Sequence, residues 1–172
     1  MKSRKSMAAL LILAGVCMAA LVLSPSLALA ADKVFTNQAP AFTVTYPDAW
    51  AQDPANPNNV VFRAKDASGI PIMEIQVREI TAGVDLAVAG SKGYKPLVEA
   101  SQETTATVTE EKQIKLSDGT PANECSMDWL YQGWLPLKSY IVSAYKDNKW
   151  VYVVIHQDPG PPNKVPLSLT FK

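Results

Sequence analysis

The segment Lys149-Trp150-Val151-Tyr152-Val153-Val154-Ile155-His156 constrains the fold more than any other stretch of this chain. Side chains of a strand alternate between its two faces. Trp150, Tyr152 and Val154 therefore share one side, and Val151, Val153 and Ile155 the other. Both sets are apolar, and a strand apolar on both faces is normally covered on both. The segment reads as a central strand with a separate layer packed on each side. Ile141, from the preceding strand, is read with the Val151 set. Asp147-Asn148 supplies a turn between Lys138–Tyr145 and Lys149–His156, which makes these two a hairpin.

Period 2 recurs earlier in the chain. Phe42-Thr43-Val44-Thr45-Tyr46 alternates and is stopped by Pro47. Val60, Phe62 and Ala64 read as the inner set of a second strand, and Met73, Ile75 and Val77 as that of a third. Thr105–Leu116 and Ala122–Tyr131 follow, with a turn at Asp118-Gly119. The alternate positions Thr43, Thr45, Glu74, Gln76, Arg78, Ser126 and Asp128 are polar and read as facing outward. One helix is expected between the third and fourth strands. Asp85 can cap it, and Leu86, Ala89, Gly93, Leu97 and Val98 fall on one face at helical spacing. Pro96 breaks the pattern, so either a kink or two short helices is expected, with Pro96 starting the second. This helix is one cover for the central strand. The other must come from a terminal segment or a partner. The fold class is α+β, an antiparallel sheet of about six to seven strands with helical cover.

Residues 1–30 have the order of a secretory leader. Lys2, Arg4 and Lys5 precede an apolar run from Met7 to Leu23, and Ala28-Leu29-Ala30 ends it as an A-x-A site. Cleavage after Ala30 leaves residues 31–172 as a single domain that is exported, periplasmic or extracellular. An uncleaved membrane anchor, and a lipid on Cys17 preceded by Val16, are the alternatives; membrane association belongs to those readings alone. All 16 acidic residues lie after Ala30, as do thirteen of the 16 basic ones, so the exported part carries a net charge of −3. No basic stripe is present, which argues against a nucleic-acid partner.

Chemistry-bearing residues are sparse. After the leader, Cys125 is the only cysteine and lies on the apolar side of its strand with Met127, Trp129 and Tyr131. It is expected to be buried and inert. His156 is the only histidine and is read as structural, because a metal site or an acid/base pair needs companions. Ala89-Gly90-Ser91-Lys92-Gly93 approximates a nucleophile elbow but falls in the expected helix rather than at a strand-to-helix turn. Ser143-Ala144-Tyr145-Lys146 matches S-x-x-K, yet positions i and i+3 of a strand face opposite ways. No catalytic residue, metal site or cofactor is assigned, and the chain is read as a non-enzyme.

The loop Gln132-Gly133-Trp134-Leu135-Pro136-Leu137 is unusually apolar for a turn between strands. Trp134 and Leu135 are candidate partner-binding residues; the alternative is that Trp134 and Leu137 fold back onto the core.

Phe42-Thr43-Val44-Thr45-Tyr46-Pro47-Asp48-Ala49-Trp50 resembles the opening of PsbP-like domains, a strand reading F-x-V-x-Y-P followed shortly by Trp. The order of elements from Phe35 to Lys172, ending in Ser168-Leu169-Thr170-Phe171, is similar as well. The resemblance implies an antiparallel sheet sandwiched between helices. It further implies a non-enzymatic binding or assembly module of the kind known among extrinsic photosynthetic proteins and exported bacterial envelope proteins. Such domains usually carry a helix before the last strand. Here Gln157–Pro166 holds Pro159, Pro161, Pro162 and Pro166, so that helix is expected to be missing. Val151, Val153 and Ile155 would then be thinly covered and open to an envelope protein partner or a second copy of the chain. A small-ligand carrier with a pocket between sheet and helix is the alternative function.

Overall fold

The computed structural model describes residues 32–54, 59–66, 71–79, 85–157 and 163–172. The expected leader at residues 1–30, with its cut site and Cys17, lies outside the described residues, as do Pro159, Pro161 and Pro162. Ten strands are present among the described residues: β1 (Lys33–Gln38), β2 (Ala41–Tyr46), β3 (Ala51–Gln52), β4 (Val60–Lys65), β5 (Pro71–Glu79), β6 (Thr107–Lys115), β7 (Pro121–Tyr131), β8 (Leu135–Lys146), β9 (Lys149–Gln157) and β10 (Thr170–Phe171). Seven of them form one antiparallel sheet in the order β3-β4-β5-β9-β8-β7-β6. The doubly apolar segment, β9, stands at its centre, hydrogen-bonded to β5 on one side and β8 on the other.

The connection from β5 to β6 must travel from beside β9 to the far edge of the sheet, and it does so as the helical layer. Asp85 caps a 3₁₀ turn at Leu86–Val88 by accepting the Ala87 N–H. A π-helical stretch follows at Ala89–Tyr94, and α1 (Lys95–Gln102) begins with Pro96 in its first turn. The helical segment thus changes form where α1 begins at Lys95, one residue before the proline. Its contacts with the sheet are close. The Glu111 carboxylate and the Asn123 amide oxygen both accept the Gly90 N–H, Glu111 also accepts that of Ser91, and the Asn123 amide nitrogen donates to Ala87 O. A side chain at residue 90 would overlap both Cβ and Sγ of Cys125. Glycine is there because the two backbones approach each other.

Two cores result. On the helical side, Ala89, Tyr94 and Val98 pack with Cys125, Met127, Trp129, Ile141, Trp150, Tyr152 and Val154. On the other side, Val151, Val153 and Ile155 pack with Phe42, Val44, Phe62, Met73, Ile75, Tyr140 and Val142.

Several expectations are corrected here. The strand holding Phe42–Tyr46 is not in the main sheet. It forms a three-stranded sheet, β1-β2-β10, that lies over the face presented by Val151, Val153 and Ile155. A terminal segment supplies the second cover, but as strands from both ends of the chain with a 3₁₀ turn at Val165–Ser168, and no helix lies on that side among the described residues. Val151, Val153 and Ile155 are therefore 0%, 0% and 2% exposed, and they do not form an accessible patch. Ile141 sits opposite Val154 and belongs to the helical side. A bulge at Val61 pairs Val60 with Gln76 but Phe62 with Ile75, so Val60 faces away from Phe62 and Ala64.

Replacing Gly90 with Ala should destabilise the fold by about 1–3 kcal/mol through overpacking. Chemical denaturation measures this, and adding Cys125→Ala should not restore the loss, because the clash includes Cβ.

Candidate functional site

Glu74, Gln76 and Arg78 do not face solvent. They lie on the helical side of β5, beneath α1, where with Arg63 of β4 they floor a cavity of about 340 Å³. Arg63 stands opposite Glu74 in register. Its Nη2 donates to Glu74 Oε1, Gln76 Nε2 donates to Glu74 Oε2 at 3.1 Å, and Arg78 Nε donates to Gln76 Oε1 at 2.8 Å. Tyr94, Leu97 and Val98 form the opposing wall, and Trp129 and His156 close one end. The cavity arises because α1 meets long polar side chains here, and these hold it off the sheet. Tyr94 stacks obliquely on Tyr152, ring centroids 5.6 Å apart. Burial, and after it the nearby Glu74, pushes the Tyr94 phenol well above its usual range, so it stays neutral.

His156 is tied to a short buried chain. Trp129 Nε1 donates to Ser139 Oγ at 2.7 Å, and Ser139 Oγ lies 2.8 Å from His156 Nδ1. An indole N–H can only donate. The direction of the Ser139–His156 hydrogen bond follows from which ring nitrogen carries the proton. Trp129 also meets the imidazole edge to face, 5.6 Å away. Burial lowers the His156 pKa, with Glu74 pulling it up and Arg63 pushing it down. Ser139 is fully buried, so this Ser–His contact offers no accessible nucleophile. Ser143 is fully buried as well. Cys125 is buried, and its thiol is pushed up to about 12 by burial and by Glu111. Among the described residues, no group of three or more His, Cys, Asp and Glu is placed to hold a metal ion, and no helix is long and apolar enough to cross a membrane.

The β7–β8 hairpin carries the other candidate. Gln132 and Gly133 both take positive φ, 51° and 77°, and turn the chain tightly. Trp134 then projects from the tip, 68% exposed. Leu135 is half-buried against the helical-side core and Leu137 is buried in it. Only Leu137 and, in part, Leu135 fold back. Leu130, 43% exposed, lies opposite Pro136 across the hairpin. A shallow groove beside them is bordered by Thr105, Asp128 and Lys138.

No family model matches the chain. No curated protein matches it either. Among solved structures, that of cyanobacterial PsbP from Synechocystis sp. PCC 6803 is similar with a TM-score of 0.65 over 86% of this chain and 96% of that one, at 12% identity. The chain has a PsbP-like fold. A Pseudomonas aeruginosa protein of unknown function is similar over 74% of this chain and 83% of its own, at 15% identity and a TM-score of 0.39. The seven-stranded antiparallel sheet with one divided helix is the arrangement that the PsbP-like resemblance implied, with strands in place of helices on the second face. The cavity residues were missed in the sequence, because a period-2 polar set reads as solvent-facing. The available signal was the extent of apolar surface on both faces of β9, which left no open face beside it for the β5 set.

Stability should fall as pH drops through the ordinary imidazole range around 6.5. The unfolded imidazole takes up a proton near its ordinary value of 6.5, whereas half-buried His156 does so only at lower pH. The unfolded chain thus binds more protons in that window, and acid favours it. The slope of melting temperature against pH should flatten in His156→Gln; an unchanged slope would show that His156 is not the group responsible.

Proposed function

We propose that this chain is an exported, non-enzymatic binding module of the cell envelope that contacts a protein partner through the tip of the β7–β8 hairpin. The observation that carries the reading is Trp134, a large aromatic held 68% exposed on a tight turn. Aromatic side chains of that kind anchor protein interfaces. Leu130 and Pro136 extend the apolar surface along the hairpin. The non-enzymatic part rests on the burial of the candidate nucleophiles Cys125 and Ser143 and on Ser91 lying within the π-helical stretch, its hydroxyl donating to Val88 O. The secretory-type leader at residues 1–30 supports export, and the PsbP-like fold is compatible with an assembly role. The face of Val151, Val153 and Ile155 has no part in this reading, since the β1-β2-β10 sheet covers it.

Affinity capture from the native envelope, comparing the wild type with Trp134→Ser/Leu130→Ser, tests the proposal. The double variant should lose the captured partner while its stability changes by about 0.5 kcal/mol or less, as expected of surface positions. Leu135 is left intact because it supports the core. Retention of the same partner at wild-type yield would remove the hairpin tip from the contact.

A further inference from the structure

The cavity beneath α1 is separate from the hairpin tip, and one of its cations, Arg78, has no ion pair among the described residues. Glu74 engages Arg63 through one carboxylate oxygen and Gln76 through the other. Glu74 is thus committed on both oxygens and leaves none for Arg78. Arg78 is held through Nε by Gln76, and among the described residues no carboxylate forms an ion pair with it. Its terminal nitrogens remain as donors. Gln76 is itself buried, and both ends of its amide are committed, so it acts as a positioning residue that fixes the Arg78 fork before anything binds.

We propose that this cavity binds a small monocarboxylate with an aromatic or aliphatic body. The carboxylate lies on the terminal nitrogens of Arg78, and the body packs against Tyr94, Leu97 and Trp129. Three features select that class. A planar guanidinium with two free donors matches a carboxylate in bidentate geometry. One uncompensated positive charge balances a monoanion, whereas a phosphate dianion would leave excess negative charge in a partly buried site. The volume of about 340 Å³ lies at the lower end for ligand pockets, and such pockets combine apolar walls with a few fixed polar groups.

Phenylacetate and its neutral isostere phenylacetamide, with hexanoate as an unbranched second acid, are the probes, titrated calorimetrically into the purified protein. Both acids should bind, and phenylacetamide should be weaker than phenylacetate by about tenfold or more. Arg78→Gln should reduce phenylacetate affinity by a similar factor and leave phenylacetamide unchanged. Arg78→Lys, which keeps the charge without the fork, should fall between. Binding of neither acid, equal affinity for acid and amide, or full phenylacetate affinity in Arg78→Gln would overturn the proposal. If Arg78→Gln does not fold, the acid–amide comparison on the wild type decides alone. Trp134→Ser/Leu130→Ser should bind phenylacetate normally, so this inference and the hairpin reading fail independently.

Discussion

Strand β9 gives side chains to two cores at once. Trp150, Tyr152 and Val154 enter the helical-side core, and Val151, Val153 and Ile155 the core under the smaller sheet. Its backbone is fully engaged because it pairs on both edges, with β5 and with β8. Neither layer can be removed without exposing one apolar row, and burial at roughly 25 cal/mol per Å² is the dominant favourable contribution in a domain of this kind. The helical segment and the three-stranded sheet are therefore consequences of β9 as much as elements beside it. The smaller sheet also joins the first and last described segments, since β10 pairs with β2, and Asp118 in the β6–β7 turn accepts the Phe171 N–H at 2.6 Å.

The helical layer meets two different surfaces. Over β7 and β8 it lies close, with Gly90 against Cys125 and Asn123 accepting its backbone N–H. Over β4 and β5 it is held away by Arg63, Glu74, Gln76 and Arg78. A divided helix suits both demands. The π-helical stretch at Ala89–Tyr94 follows the close contact and passes into α1 at Lys95, which spans the polar side. π-Helical turns of this sort are often found at functional sites, and this one ends at Tyr94, a wall of the cavity.

What was legible in the sequence were features fixed by local chemistry. The alternation in β9, the Asp147-Asn148 turn, the Asp85 cap and the break at Pro96 all depend on neighbours in sequence, and all stand where they were expected. What was not legible depended on pairing at long range. Period 2 tells which residues share a face but not what that face meets, so Glu74, Gln76 and Arg78 read as solvent-facing though they lie under α1. The side taken by Ile141 follows from its partner Val154, and that of Val60 from a one-residue bulge. Strands as short as Thr170–Phe171 acquire their role only from a sheet edge brought to them by the rest of the chain. The hairpin tip lay between these cases. Its apolar residues were evident, but which of Trp134, Leu135 and Leu137 turned inward was decided by strand register.

Cys125 gives the fold a built-in gauge. Its sulfur is sealed by the backbone at Gly90, and its proton is held tightly enough that almost no thiolate exists near neutrality. A thiol reagent reaches it only when the π-helical stretch lifts from β7. The rate of its modification then reports how often the helical layer parts from β7, without any engineered label.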